Sequence, residues 1–457
     1  MKIGFGLMLP VLLVLCCTCA VTQTDTGAGD TGAPAQPGPK PAYTYPDATP
    51  SLDFLNGAVE NSSITLGIGA GVSYQSYGYS NTANGSQDRV LFHIAPSIKI
   101  QQYFPRLSWN FSYAGGWQTY THPSHVNTGN DNLFSQNASA GILWQMARRW
   151  QLSAKDTFVY SANPFDSYVT VLGTPTMNNP NPTSYYPLTR FTTNSGVLAL
   201  TDQLSKADTL AFTGTANLRR TSTYNQVTSV PFYNLVSYGG LASYAHRFSP
   251  RLTLGANYDY NSLDFGHGQQ RSGIQSMQMT VDYLLRPNLS ISGWVGPQYT
   301  ATKTVVGIPI FGQIFYFTQH SSLWTTSAGV NVGWQSLRNS VRAGYSHQVQ
   351  DGGGYIATSQ VNSVNGSYRR MLTAKLDGLL SGTYYHNAST TESSRTYSNY
   401  YINAGLNYKF TKSLNAIAQY TYSELQKSKA FVLGSPGYTD NIVGVTVNYS
   451  WTHPLGR

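Results

Sequence analysis

The sequence is poor in charge: Asp, Glu, Lys and Arg make up only 10% of its 457 residues. Ordinary globular proteins contain about 25%, so charge-driven disorder and the surface of a typical cytosolic enzyme are both excluded. Past residue 20 no apolar run approaches the ~18 residues of a membrane-spanning helix, which excludes a helical membrane protein. The chain is instead rich in Gly and Tyr, with 43 and 34 of them. This composition suits strands whose two faces differ in polarity.

Cysteine is nearly absent, and the three that occur, Cys16, Cys17 and Cys19, lie in the first twenty residues. Residues 1–20 combine a positive start, an apolar core and a small-residue end, which is typical of a signal peptide for export. The mature chain would then contain no cysteine, so disulfides would not hold it together. Residues 21–62 are rich in Pro, Gly and Thr and predict a flexible periplasmic leader, too short to form a plug domain.

From residue 63 onward apolar and polar residues alternate with the period of a β-strand. The polar face carries Ser, Thr, Asn, Gln and Gly rather than the charges of a soluble surface. About eighteen such runs fit between residues 63 and 452. Tight turns alternate with long polar connections, near 75–87, 121–131, 161–189, 220–233, 261–271, 301–320, 350–359, 386–396 and 424–438.

Short connections on one side and long ones on the other are typical of an outer-membrane barrel, which also uses an even number of strands. Aromatic residues concentrate at the predicted strand ends, as two belts at the bilayer interfaces would require. The predicted fold class is therefore all-β, a transmembrane antiparallel up-and-down β-barrel of about 18 strands over residues 63–452. Asp156 is an exception to the alternation, since it falls on the predicted lipid-facing side.

In these features the chain resembles the porin-type outer-membrane β-barrel proteins of Gram-negative bacteria, although no diagnostic motif supports the likeness. Such barrels often end on an aromatic residue, whereas here Trp451 is followed by Thr452 and the tail 453–457. The resemblance implies the bacterial outer membrane as the location. It also implies membrane lipid and the barrel assembly machinery as partners, small hydrophilic solutes as cargo, no nucleic acid, and a possible homo-oligomer.

The alternation also predicts which residues line the lumen. These are Arg89, Lys99, Lys155, Asp259, Asp282, Trp294, Arg342, Lys375 and Asp377. Further basic residues lie in the short turns, and together they predict a mild preference for anions. Alternatively, the turn cations only anchor the barrel to phosphates and headgroups. A sugar-specific porin would be expected to line its lumen with a track of aromatic residues. Trp294 is the one aromatic residue predicted to point inward at mid-strand, so the pattern does not favour such a porin.

The longest connection, 161–189, is the third long one. By resemblance to porins it is predicted to fold into the lumen as a constriction, with Asp166, Tyr185 and Tyr186 as its candidate residues. The length of this connection alone would equally predict a surface loop that stands in solvent.

Two other classes of function stay open. One is a barrel that acts through its external loops, in adhesion or as a structural protein. The other is a lipid hydrolase with a Ser/His pair at the rim, but only His122-Pro123-Ser124-His125 forms a histidine cluster and no carboxylate accompanies it at a matching spacing. The sequence indicates no catalytic residues, no cofactor and no metal site.

Overall fold

The computed structural model describes residues 62–79, 87–120, 132–161, 189–223, 234–266, 268–310, 313–353, 356–391, 395–427 and 438–455. These residues form eighteen strands, which run in chain order as follows: β1 Ser63–Tyr79, β2 Gln87–Tyr103, β3 Leu107–Tyr120, β4 Asn132–Gln145, β5 Trp150–Ser161, β6 Thr189–Asp202, β7 Asp208–Thr223, β8 Leu235–Arg247, β9 Leu252–Phe265, β10 Gln270–Arg286, β11 Leu289–Ile310, β12 Gln313–Gln335, β13 Asn339–Asp351, β14 Thr358–Met371, β15 Leu376–Ser389, β16 Thr396–Lys409, β17 Leu414–Lys427 and β18 Tyr438–Pro454. No helix in these ranges is long and apolar enough to cross a membrane.

The sheet closes on itself. Each strand pairs antiparallel with its neighbours in the chain, and β1 pairs with both β2 and β18. Closure removes the free edges of the sheet, so the backbone groups of the wall bond to each other rather than face hydrocarbon. The predicted up-and-down barrel and its eighteen strands are confirmed.

The two faces of the wall divide as the alternation requires. On β1, Leu66, Ile68 and Val72 point outward and are 42–50% exposed, and their register partners on β18 include Val445 and Trp451. The intervening positions of both strands carry Gly, Ser, Thr and Asn on the inner face. Aromatic side chains occupy the outward positions near both strand ends, among them Trp144, Trp150, Tyr260, Trp324, Tyr408 and Trp451.

The connections depart from prediction at two places on the long-loop side. Residues 261–271 were expected to form a long polar connection, but β9 continues to Phe265 and β10 begins at Gln270, because Leu263 and Phe265 extend the strand as buried apolar residues. Between β11 and β12 only residues 311–312 lie outside the strands. These two strands stay paired beyond the ends of their neighbours, up to Ile310↔Gln313, where a long polar connection was expected over 301–320.

One junction in the wall is short. β12 pairs with β13 over eight residue pairs, from Ala328↔His347 to Gln335↔Ser340. By contrast, β11 pairs with β12 over 22 residues. Beyond His347 the chain leaves β12 while β13 and β14 stay paired up to Asp351↔Thr358. The ends of β13 and β14 on the long-loop side therefore separate from β12 together, while β14 stays paired with β15 up to Ser359↔Ser389.

Candidate functional site

The inner face of the barrel is a wall of hydroxyl and amide groups that bond to each other between strands. On β3 to β8, for example, Ser112 and Ser139 are 2.7 Å apart, Ser195 donates to Asn217 at 2.6 Å, and the Asn217 amide donates to Ser237 at 3.2 Å. Such groups can also exchange hydrogen bonds with water and polar solutes. The inner surface is therefore suited to contact an aqueous phase.

The register places eight of the nine predicted lumen residues on the inner face: Arg89, Lys99, Lys155, Asp259, Asp282, Trp294, Arg342 and Asp377. Lys375 is different, because it lies in the turn 372–375 between β14 and β15 and is exposed there. Lys99 and Arg342 are also exposed, whereas Arg89, Trp294 and Asp377 are buried in the wall.

Arg89 belongs to a polar network near the long-loop end of the barrel. Its Nε donates to the side-chain oxygen Oε1 of Gln75 at 2.9 Å, and the side-chain nitrogen Nε2 of Gln75 donates to Asp440 Oδ2 at 2.8 Å. All three side chains are buried. Because a carboxylate sits in the same network, Arg89 contributes less to the field in the lumen than the sequence alone suggests.

A second charged group lies at the short-turn end. Asp377 accepts hydrogen bonds from Arg369 at 3.2 Å and from Asn407 at 3.1 Å, and Lys409 Nζ lies 3.9 Å from the same oxygen. The register places Arg369 and Lys409 on the inner face with Asp377. Two cations share one carboxylate, so this mouth of the barrel carries an excess of positive charge.

The feature that distinguishes the lumen is an inward-folded segment, residues 348–353 and 356–361, which we call the inner hairpin. It comprises the end of β13, the described residues 352–353 and 356–357, and the start of β14. Its residue Val349 is 3% exposed and packs with Ala357 against inward-facing side chains of β8, β9 and β10: Leu235, Leu263, Phe265 and Ile274. An apolar cluster inside the barrel thus attaches the hairpin to the wall.

An ion pair anchors the tip of the inner hairpin to a strand six places away around the barrel. Arg219 of β7 points inward, and its two terminal nitrogens donate to the two carboxylate oxygens of Asp351 at 2.9 and 2.8 Å. The Arg219 side chain is 7% exposed. This bidentate geometry is the strong form of the interaction, and removing one partner of such a buried pair costs about 3–5 kcal/mol.

Further contacts reach the hairpin from other parts of the wall. The Gln298 side chain of β11 bonds both the N–H and the C=O of Val349, at 2.7 and 3.2 Å. Tyr397 of β16 is 2% exposed and donates to the Gly352 carbonyl at 2.8 Å. Because its partners lie on β7, β11 and β16, the hairpin spans a large part of the lumen.

Two glycines allow the tight turn of the inner hairpin. Gly353 has φ 67°, a left-handed conformation that favours glycine, and its N–H donates to Asp351 Oδ1 at 2.9 Å. A Cβ at Gly352 would collide with the backbone of Ile356. Asp351 therefore both shapes the turn and holds it to Arg219.

Sequence reasoning missed these residues. Arg219 was placed next to a loop predicted to begin at 220, and Asp351 within the connection 350–359, although the run Asp351-Gly352-Gly353-Gly354 signals a tight turn. The inner face also carries aromatic residues besides Trp294: Phe191, Phe265, Tyr385, Tyr397 and Tyr401. Tyr401 lies away from the ends of β16, so the expectation that Trp294 is the one inward aromatic residue at mid-strand was wrong. The predicted constriction residues Asp166, Tyr185 and Tyr186 lie outside the described residues.

Together, these features define a class of protein. A closed barrel of eighteen antiparallel strands, an apolar outer face with aromatic ends and a polar interior are the properties of a porin-type β-barrel of the bacterial outer membrane.

No protein-family model matches the chain, and no curated protein matches it. Solved structures of similar shape include Acinetobacter baumannii OccAB4, with 10% identity and a TM-score of 0.42 over 86% of this chain and 99% of that one. Pseudomonas aeruginosa OpdL has 12% identity and a TM-score of 0.40 over 86% and 99%. The Neisseria meningitidis iron transporter FrpB (F5-1 variant) has 10% identity and a TM-score of 0.45 over 87% and 84%. Values this low identify neither a family nor a substrate.

Proposed function

We propose that the protein is a passive channel for small hydrophilic solutes in the outer membrane, with a mild preference for anions. The observation that carries the proposal is the polar inner wall of an eighteen-stranded barrel, with the inner hairpin across part of its lumen. Barrels of 16–18 strands are wide enough to leave an aqueous passage, whereas about eight strands are filled by their own side chains.

The inner hairpin sets the width of this passage at its long-loop end. It occupies space between β7 and β16. Its β14 side stays in the backbone ladder with β15 from Ser359↔Ser389 onward, while side-chain bonds hold it to β7, β11 and β16. Lys99 and Lys155 are not part of the hairpin, so the charge of the lumen can be tested separately from its width.

Lumen charge supports the preference for anions. Among the described residues, the inner face of the strands carries eight basic side chains: Arg89, Lys99, Lys155, Arg219, Arg247, Arg342, Arg369 and Lys409. It carries four carboxylates, Asp259, Asp282, Asp377 and Asp440, to which Asp351 of the inner hairpin adds a fifth. Exposed basic residues in the short turns, such as Arg148, Arg338 and Lys412, add to one mouth. The preference is mild because most of the wall is neutral.

The test is single-channel recording of the purified protein in planar bilayers, with the reversal potential measured in a salt gradient. We expect discrete conductance steps and a modest preference for anions that shrinks as salt shortens the Debye length. The double variant Lys99→Gln/Lys155→Gln should shift the reversal potential toward cations. The matched control Lys206→Gln/Lys412→Gln removes two exposed turn cations and should shift it less.

Three outcomes contradict parts of the proposal. Cation selectivity of the unmodified protein refutes the charge assignment, while channel function stands. An equal shift in both double variants places selectivity at the mouth rather than in the lumen. Absence of conductance in bilayers that contain folded protein refutes the channel itself.

A further inference from the structure

Among the described strands, the outer face of the barrel carries one carboxylate at a depth where a lipid-facing wall should have no charge. Asp156 of β5 points outward between Ala140 of β4 and Gly196 of β6, and its side chain is exposed. The Asn194 amide of β6, also on the outer face, donates to Asp156 Oδ2 at 3.2 Å. Asp156 was predicted on the lipid-facing side, and the register agrees.

The depth of this pair excludes contact with headgroups. Asp156 lies six residues from Trp150 and four from Tyr160, the outward aromatic residues at the two ends of β5. At ~3.3 Å per residue and a tilt of about 40°, the carboxylate lies about 15 Å from one aromatic end and about 10 Å from the other. No other carboxylate or basic side chain points outward at this depth among the described strands.

A carboxyl group in hydrocarbon is unfavourable, and an intramembrane ionisable residue indicates a site whose partner has to be found. The single bond from Asn194 leaves most of the acceptor capacity of Asp156 unused, since a carboxylate offers about four lone-pair positions. Asn194 likewise has a second amide hydrogen to donate. The pair therefore contains both an unused acceptor and an unused donor.

The surface around the pair allows a close approach. Eight of its outward positions on β4 to β8 are small, and a Cβ added at Gly214 or Gly240 would meet nothing within 4 Å. These positions are Ala138, Ala140, Ala154, Gly196, Gly214, Ala216, Gly240 and Ala242. Larger outward side chains stand among them: Leu198 between Ala154 and Gly214, Phe158 between Ala138 and Asn194, and Tyr238 beside Ala216.

We infer that this face of β4 to β8 is a self-association surface on which two copies of the chain form a two-fold dimer. The occupant is a second copy because the patch carries both the donor and the acceptor that it needs. Under a two-fold axis along the membrane normal, each Asn194 gives its second amide hydrogen to the partner's Asp156. A different outer surface of the second copy would offer Asn194 no carboxylate at this depth among the described residues.

The area of the surface determines how stable the dimer should be. Five strands at ~4.8 Å spacing and an apolar band of ~25 Å give on the order of 500 Å² per copy. This is below the ~800 Å² per partner of a standard stable interface. The dimer should therefore be reversible, and it does not depend on the proposed channel function.

Thiol cross-linking in liposomes tests the inference, with Cys16, Cys17 and Cys19 replaced by Ser in the parent chain. Ala216→Cys places a thiol on the outer face of β7 within the patch, and Ala418→Cys is the matched control on the outer face of β17. Because the two-fold axis lies between β5 and β6, the two β7 thiols are too far apart for a disulfide, so a long bifunctional maleimide is used. It should cross-link Ala216→Cys into dimers and leave Ala418→Cys and the parent monomeric. Absence of cross-linking above the level of Ala418→Cys would overturn the proposal.

The polar pair is tested in the Ala216→Cys background. Asp156→Leu should reduce the cross-linked fraction at least tenfold, while Asp156→Asn should keep most of it because amides can bond each other across the axis. Because Leu suits the lipid face, Asp156→Leu should still insert, which the heat-modifiable gel shift of a folded barrel verifies. Undiminished cross-linking of Asp156→Leu would overturn the role of the pair. Native mass spectrometry that finds only monomers, each with a bound lipid lost in Asp156→Leu, would show that a lipid covers the patch and refute the dimer.

Discussion

Two junctions of the barrel wall, β1–β18 and β12–β13, join adjacent strands in different ways. β1 and β18, from opposite ends of the chain, pair over seventeen residues without a break, from Ser63↔Pro454 to Tyr79↔Tyr438. β12 and β13 are neighbours in the chain, yet their ladder stops after eight pairs. Above that point a few side-chain bonds replace the ladder, such as Gln360 to Thr325 at 3.1 Å.

The first junction closes the barrel, whereas the second lets a segment of the chain enter the lumen. The β1–β18 ladder closes the sheet and bears an unbroken apolar outer face, as a wall in lipid must. At β12–β13 the wall gives up backbone bonds so that the inner hairpin can enter the lumen. The lost ladder bonds are compensated by the ion pair to Arg219, the Gln298 bonds and the apolar cluster around Phe265.

The largest effect is expected for a charge on the lipid face at the regular junction. Ile68→Arg should prevent assembly or destabilise the barrel by about 2–4 kcal/mol, because the position faces the middle of the membrane. Thr446→Ser, on the inner face of the same junction, should be tolerated. The yield of folded protein and its urea unfolding midpoint measure both. Equal damage from the two variants would contradict the assignment of the faces.

A smaller effect is expected at the turn of the inner hairpin. Gly353→Ala places a Cβ at φ 67° and should cost about 1–2 kcal/mol, which loosens the hairpin but leaves the barrel folded. Gly366→Ala is the control, since a Cβ there meets its nearest atom at 3.9 Å. Open-channel noise should rise in Gly353→Ala only. The same noise in both variants would refute a specific role for the turn.

The smallest effect is expected in the protection of backbone amides against hydrogen exchange at the two junctions. About half of the amides in residues 319–327 of β12 point toward the side where β13 has left, so they should exchange hydrogen rapidly. Amides of Ser63–Tyr79 are bonded on both sides and should exchange slowly. Hydrogen-exchange mass spectrometry in detergent micelles measures the two peptides. Equal protection would mean that the β12–β13 ladder is complete in solution.

The regular wall could be predicted from sequence because a period of two decides both strand and facing. Leu66, Ile68 and Val72 identify the lipid face without knowledge of any partner. The inner hairpin could not be predicted in this way, since its position depends on Arg219 and Asp351, which are 132 residues apart in sequence. Alternation also says nothing about whether Arg89 has a carboxylate in its network, because Gln75 and Asp440 come from two other strands.

The most direct test of the central claim, that the inner hairpin narrows an aqueous lumen, is the single-channel conductance of Arg219→Ala. This change leaves Asp351 without its bidentate partner, so the tip of the hairpin should move away from β7 and conductance should rise severalfold. Arg220→Ala, the exposed neighbour on the same strand, should conduct like the unmodified protein. Unchanged conductance in Arg219→Ala, with the barrel folded, would contradict the account.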